Sequence, residues 1–485
     1  MNLNLAGHPP NNRKINNTEN DKTEECKRDY LTDFNYCLYD KENVPYISPI
    51  PGEFPIIASD SFPHSSDFAK SIVDDIIECG FNVGAYSSHV DNMNYALRMI
   101  KGTNLKMIIA PGGARNWTSD LLANWKREFF ENAKFKAIFS DPAVTAWYFK
   151  DEPEFSLLDE IEKSYESICL LDSGRMQIVV LVGSTKGTTV PDPDNPGEDK
   201  IVNNPYCGEH ITNKNYIRYL ELIQEKIAPP VWIYDLYPIT KTIKKDGVAK
   251  YAVKSKQFYE DLEASSRIAS LTHRPFWAYC MSMSHQLSYD ETSGEGVLYP
   301  EATLGSLRFE AFSALAYGAQ GIIYWTYCQI YNDAIHYSAL INQQGEKSES
   351  WYYAKQVNGE IKALTDVFLG CTLMRVRHTG NDANINSVTC PLTSAEPMWP
   401  LESASSSGSG LLVSHLSNKG RDYLVIVSHD PLNSQTVSLK FRNHWTVRTV
   451  NPIAEVKKLT KSDDGTRTVY SGTLPAGGYI VFEWS

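Results

Sequence analysis

No stretch of this chain approaches the roughly 18 consecutive apolar residues that a membrane-spanning helix needs, which excludes a helical membrane protein. Positive charge is also scarce. The 46 Lys and Arg face 58 Asp and Glu, a formal net charge of −12, so nucleic acid and anionic membrane surfaces are poor partners. The nine cysteines, at 26, 37, 79, 169, 207, 280, 328, 371 and 390, form no CxxC or other zinc-like spacing. Their odd number speaks against a full disulfide framework. Most lie in apolar runs as small hydrophobes, and only Cys26 and Cys37, in a polar region, read as free to pair. A GxSxG elbow is missing, which removes the α/β-hydrolase triad. There is no HxH and no i, i+4 histidine pair. His89, Asp151 and His285 could be drawn together, but nothing frames a metal, and no cofactor is expected. The N-terminus, residues 1–30, is polar and rich in Asn, Lys and Glu, without a signal-peptide pattern. The expectation is a cytoplasmic protein, or a periplasmic or cell-surface one if a leader has been removed.

What is present is length and rhythm. The chain's 485 residues exceed one ordinary core and suit a barrel of about 250–350 residues with a smaller domain attached. Residues 1 to about 28 read as a disordered leader, and 29–54 as a segment wrapping the outside of the domain that begins at 55. From that position, short apolar runs alternate with amphipathic stretches. Strands are expected at 55–59, 82–88, 105–111, 144–150, 177–183, 231–238, 275–283 and 321–327. Helices are expected at 67–79, 91–101, 118–138, 156–171, 214–227, 255–271, 302–318 and 350–368. Eight of each is the count of a closed (β/α)8 barrel. An open doubly wound sheet would carry a Gly-rich phosphate loop after its first strand, where this chain has Asp60-Ser61-Phe62-Pro63. The expected fold is therefore α/β, a (β/α)8 TIM barrel over 55–370. Past Gly370 the helical period disappears, and 371–485 reads as a small C-terminal antiparallel β-sandwich, with the serine-rich 403–409 as a flexible loop. The junction at 369–372 is too short for free motion, which makes the sandwich a buttress.

In such barrels the chemistry gathers at the C-terminal ends of the strands. Those ends here bring Asp60; Tyr86 and His89; Gly112, Gly113, Arg115 and Trp117; Lys150, Asp151 and Glu152; Ser184 and Lys186; Tyr234, Asp235 and Tyr237; Met283, His285 and Gln286; Trp325 and Tyr327. The opposite ends offer mostly Pro, Asn and Gly. The densest signal is Val-Thr-Ala-Trp-Tyr-Phe-Lys-Asp-Glu-Pro at 144–153, an apolar strand that stops at a carboxylate pair and a proline. A bland reading is a salt-bridged strand cap. The chemical reading is glycosidic bond cleavage, in which one carboxylic acid protonates the leaving oxygen and a second carboxylate attacks the sugar or activates water. Glu152 is the expected acid, with Asp235 of Trp-Ile-Tyr-Asp-Leu-Tyr-Pro as the second carboxylate. Trp325, Trp117 and Tyr237 can stack on sugar faces, and Arg115, His285 and Gln286 can bind hydroxyls. Asp60, Tyr86, His89 and Tyr327 complete the expected substrate-binding rim. Aromatic residues, 12% of the chain, suit that use, although they also fill cores.

The run Trp147-Tyr148-Phe149-Lys150-Asp151-Glu152-Pro153 resembles the strand-four motif of clan A glycoside hydrolases, where Asn-Glu-Pro commonly holds the acid/base. The segment Leu307-Arg308-Phe309-Glu310-Ala311-Phe312 through Gly321-Ile322-Ile323-Tyr324-Trp325 resembles the helix-seven to strand-eight segment of β-galactosidase-like barrel enzymes, as does Trp351-Tyr352-Tyr353 through Val357-Asn358-Gly359-Glu360. With the terminal sandwich, the chain is similar over most of 55–485 to barrel glycosidases of gut Bacteroidota. The resemblance implies a monomeric O-glycosyl hydrolase acting on an oligo- or polysaccharide. Two departures stand out. Asp151 replaces the Asn before the acid/base, and strand seven ends in Tyr279-Cys280-Met281-Ser282-Met283-Ser284-His285, without the family's nucleophilic Glu. Glu291, Glu295 and Glu301 come after it in what reads as a long loop. Three accounts remain open: Asp235 supplies the second carboxylate; Asp151 and Glu152 work together as in substrate-assisted hexosaminidases; or the barrel binds glycan without cleaving it. Adjacent carboxylates in a partly dry pocket would raise one pKa and keep an acid protonated. Strict alternation turns Lys150 to the other face of its strand.

Overall fold

The computed structural model describes residues 46–63, 68–85, 90–110, 131, 133–153, 157–183, 188–191, 199–202, 213–244, 247, 249–290, 294–329, 336–380, 398–453 and 459–485. Eight strands close into one parallel barrel: β1 (Ile56–Ala58), β2 (Val83–Ala85), β3 (Lys106–Ile109), β4 (Val144–Asp151), β5 (Met176–Val182), β6 (Trp232–Asp235), β7 (Phe276–Met281) and β8 (Ile322–Trp325). Closure is made by β1 pairing with β8 at Ile57–Ile323 and with β2 at Ile57–Val83. Eight helices alternate with them: α1 (Lys70–Glu78), α2 (Val90–Ile100), α3 (Ala133–Ser140), α4 (Leu158–Leu171), α5 (Asn213–Lys226), α6 (Ser255–Leu271), α7 (Leu304–Ala316) and α8 (Glu349–Ala363). The expected (β/α)8 barrel and C-terminal sandwich are both present.

Alternation along each strand divides the core in two. Ile57, Val83, Ile108, Tyr148, Val180, Ile233, Tyr279 and Ile323, one from each strand, fill the lumen. Their neighbours Ile56, Met107, Phe149, Val179 and Tyr234 pack outward against the helices. The helices answer with one apolar face, as in α1, whose Ile72, Val73 and Ile76 are buried. Gly80 comes just after α1 at φ +96°, the left-handed geometry that ends many helices. Among the described residues no helix is long and apolar enough to cross a membrane.

Of the expected outer segment 29–54, residues 29–45 lie outside the described residues, as does the leader before them, and 46–54 turn toward the barrel. Ile50 is buried in the lumen cluster, and Tyr46 packs edge-on to Trp277 at 6.3 Å, so the segment closes the N-terminal end of the barrel. Burial there pushes the Tyr46 hydroxyl up to about 12. That end is sealed by side chains, which leaves the C-terminal mouth for chemistry.

A five-stranded antiparallel sheet stands over that mouth, in the order 249–253, 239–243, 295–299, 284–290, 336–338. It is built from the segments that come after β6, β7 and β8. The expected long loop after β7 is thus a β-hairpin. Glu295 on the hairpin and Glu301 just past it are both exposed, and Glu291 lies outside the described residues.

The C-terminal part consists of a five-stranded sheet (372–379, 411–418, 421–428, 479–484, 447–449) facing a four-stranded one (401–406, 435–442, 467–474, 460–463). The serine-rich stretch expected as a loop is mostly strand: Leu401–Ser406 pairs with 435–442. Its residues alternate in burial, and serine carries too little side chain to reveal that period in the sequence. The sandwich is locked onto α7 and the short helix Thr365–Phe368. Phe312 stacks on Tyr479 at 3.4 Å, and Ser414 Oγ donates to the Ala316 carbonyl. Asn418 Nδ2 donates to the carbonyls of Asp366, Val367 and Leu369.

Candidate active site

The end of β4 departs from regular alternation, and the site is built on that departure. A register shift between Tyr148 and Lys150 aligns Lys150 with Val179, an outward position, and Asp151 with Val180, a lumen position. This bulge re-aims the strand end. Lys150 is buried among the outer residues, while Asp151 accepts a 2.5 Å hydrogen bond from the lumen hydroxyl of Tyr148. Glu152 is next, with φ +39°, and donates its N–H to the Val180 carbonyl at 2.9 Å. A left-handed backbone at a non-glycine residue costs on the order of 1 kcal/mol or more and clusters at functional positions. Pro153 then anchors the turn through its carbonyl, which accepts from Tyr219 of α5 at 3.0 Å.

Across the mouth, β6 ends in Asp235, half-buried. Its carbonyl accepts the Gly183 N–H from β5 at 2.8 Å. A Cβ at Gly183 would lie 3.0 Å from that oxygen and 2.8 Å from Leu236 Cβ, so a glycine is required for the two strand ends to meet. β8 ends in Trp325, half-buried, with a cis peptide to Thr326.

Aromatic rings join these strand ends. Tyr237 stacks on Trp325 at 6.0 Å and meets Tyr279 and Tyr299 edge-on at 6.4 and 5.5 Å. His285 lies between Tyr299 and Trp325, 4.8 and 4.9 Å away. Burial, then the charges of Asp235 and Glu152, hold the Tyr299 hydroxyl well above its usual value. Burial and then Asp235 do the same to Tyr237. Both phenols are neutral at any physiological pH. The charges of Glu152, just past β4, and of Asp235, at the end of β6, are thus both felt at Tyr299. Such a mouth has carboxyl groups, neutral hydroxyl donors and flat apolar rings, a combination that suits a polyhydroxylated, partly apolar ligand.

Of the residues expected from the sequence, Glu152, Asp151, Asp235, Tyr237, His285 and Trp325 stand at the mouth. Asp60, at φ +45°, ends β1, where Ser59 Oγ donates to its carboxylate at 3.1 Å and its carbonyl takes the Cys328 N–H. Two expectations are corrected. Tyr327 is fully buried, accepts from Trp351 Nε1 at 3.1 Å and packs edge-on to Phe81. The chain turns outward after the Trp325 strand end, so this ring joins the helix layer. Gln286 sits on the mouth sheet, where it accepts from the exposed Tyr337 at 2.9 Å; the hairpin gives it the face opposite His285. Tyr86, His89, Gly112, Gly113, Arg115, Trp117, Ser184 and Lys186 lie outside the described residues.

The sequence reading missed Tyr148, Tyr279, Tyr299 and Glu310. Tyr148 and Tyr279 are lumen positions that period-two counting could have found. Tyr299 belongs to the mouth sheet and had no sequence signal. Glu310, 2% exposed on α7, had one: a carboxylate inside the apolar run 307–316.

No family model matches the chain, and no curated protein matches it. Among solved structures, a catalytic mutant of a GH42 β-galactosidase from G. stearothermophilus is similar with a TM-score of 0.51 and 7% identity, over 91% of this chain and 100% of that one. An endo-β-1,4-mannanase from Thermotoga petrophila gives 0.39 and 10%, over 90% and 99%. A β-glucuronidase from Parabacteroides merdae gives 0.36 and 8%, over 89% and 58%. At these identities the first shares the fold.

Proposed function

We propose that this protein is a glycoside hydrolase that cleaves a glycosidic bond in an oligo- or polysaccharide, with Glu152 as general acid/base and Asp235 as the second carboxylate. The observation that supports this reading is the placing of Glu152 just past β4 and of Asp235 at the end of β6, beside a wall of Tyr237, Tyr299, Trp325 and His285. In the reaction, protonated Glu152 gives its proton to the leaving oxygen as the glycosidic bond breaks. Asp235 attacks the anomeric carbon or takes a proton from the water that does. Tyr299 and Tyr237 donate hydrogen bonds to developing or resting negative charge without contributing charge of their own. Asp151, held by Tyr148, keeps the bulged strand end in place and thereby aims Glu152. The like-folded β-galactosidase is compatible with this chemistry and leaves the sugar open.

A second reading has its own observation. β7 ends in buried Met281, Ser282 and Met283, with no carboxylate where the resemblance leads one to expect the nucleophile. A barrel of this kind would bind glycan and release nothing. Reducing-sugar release over a broad panel of host and plant glycans, with Glu152→Gln beside the wild type, separates the two. Release that drops by about 10²–10⁴ in the variant supports the hydrolase. Release that persists moves the acid elsewhere. Binding without release establishes the second reading.

A further inference from the structure

Behind the mouth lies an acid that the proposed reaction does not use. Glu310 comes from α7, among Leu307, Phe309, Ala311 and Phe312, with Arg308 two residues before it, and is almost completely buried. The pairing of β6 with β7 stops at Tyr234–Ala278, whereas β7 and β8 stay paired as far as Met281–Trp325. The N–H groups of Ala278 and Ser282 point to β8, donating to Gly321 and Trp325. Residues of the other parity, Met281 among them, therefore point toward β6, which has already left the ladder. A buried N–H needs a partner, and Met281 finds Glu310 Oε2 at 2.7 Å. Glu310 thus holds β7 on the side that β6 has left, just past the level of Asp235.

We propose that Glu310 is a positioning residue for Asp235: from the helix side it holds the end of β7 beside the strand end that carries Asp235. The proposal rests on the reading of Asp235 as the second carboxylate. Two carboxyls in one poorly hydrated wall do not both ionise easily. Burial first, opposed by the Met281 hydrogen bond, and then the charge of Asp235 raise Glu310 to about 8. The other titratable groups facing it are Tyr234 from β6, Cys280 from β7, Tyr324 from β8 and Tyr299 from the mouth sheet, all held neutral by burial. On α6, Asp261 acts on Tyr234, and Glu260 and Glu263 are buried on the same helix. Among the described residues no Lys or Arg forms an ion pair with Glu310, whereas Arg308 on the same helix is taken by Glu360. With Asp235 ionised for catalysis, Glu310 keeps the proton.

The test is denaturant unfolding of the full chain between pH 4.5 and 9, for wild type, Glu310→Gln and Asp235→Asn. As pH rises from about 4.5 to about 8, the unfolded chain releases the Glu310 proton while the folded chain retains it, so wild-type stability falls across that window. The loss should reach on the order of a thousandfold in the unfolding constant, and it should be missing from Glu310→Gln. Asp235→Asn, with Glu310 intact, should move the window to lower pH. Equal pH dependence in wild type and Glu310→Gln would overturn the proposal, as would an unmoved window in Asp235→Asn. The Asp235→Asn comparison decides alone if Glu310→Gln does not fold. On any glycan the wild type cleaves, Glu310→Leu should lower kcat by about tenfold to a hundredfold with KM little changed. Glu310→Gln, which keeps an acceptor for Met281, should recover it; an unchanged kcat in Glu310→Leu refutes the positioning role. A wild type that cleaves nothing sinks the hydrolase reading, and the two titration comparisons still judge Glu310.

Discussion

The two faces of α7 treat buried charge in opposite ways. Toward α8, Arg308 makes a two-point ion pair with Glu360, Nη2 to Oε1 at 2.6 Å and Nε to Oε2 at 3.1 Å, and both side chains are buried. Toward the barrel, two residues further on, Glu310 has a backbone N–H for company and the nearby charge of Asp235. A paired buried charge is structural, since its cost is met by its partner. A buried acid with no cation stays protonated and couples to whatever acid shares its surroundings. A single helix thus carries a paired charge on one face and, among the described residues, an acid without a cation on the other.

The comparison can be pressed hardest with pH. Relative to Glu310→Gln, the wild type should lose on the order of 4 to 5 kcal/mol of stability between about pH 4.5 and about pH 8, because the folded state alone keeps the Glu310 proton. Urea titrations at several pH values read this directly. On the other face, Arg308→Met strands Glu360 without its partner, and unfolding should show a loss of about 3–5 kcal/mol. A smaller loss would mean that the ion pair costs nearly as much to bury as it returns. Gly183→Ala probes the mouth without touching a charge. The new Cβ meets the Asp235 carbonyl and Leu236, so about 1–3 kcal/mol of stability and most of the activity should go. Intact activity would show that the Asp235 strand end tolerates displacement. The mildest expectation concerns the sandwich. Asn418→Ala leaves three carbonyls of the 365–369 turn without their donor. Thermal unfolding should register about 1–3 kcal/mol, with glycan cleavage unaffected.

The barrel was legible because its signals are local and repeated. A strand such as 176–182 is apolar at every position but Gln177 because parallel strands are covered on both faces, and α6 (Ser255–Leu271) runs over the same residues that its periodicity indicates. The Glu152 end of β4 was legible for the same reason, since a carboxylate pair beside a proline interrupts an apolar run. Tyr327 misled because the sequence does not tell where β8 stops: two residues past Trp325 the ring belongs to another layer. The 403–409 stretch misled because serine has no apolar signal, although its backbone pairs as well as any other. Tyr299 stayed hidden because it reaches the mouth through a hairpin whose register is set by pairing with 284–290 and 239–243.

By itself, then, the amino-acid order determined the alternation of eight strands and eight helices, the change of rule after Gly370, and a carboxylate pair at the end of the fourth strand. Each is a statement about neighbours in the chain, where side-chain size and polarity act over a few residues. Tertiary structure alone decided that a bulge turns Asp151 inward, that Tyr299 joins the aromatic wall at the mouth, and that a glutamate from α7 takes the place of a missing strand behind them. Those outcomes depend on which backbone groups remain unpaired once the barrel has closed, and unpaired buried groups must find partners wherever the fold places them.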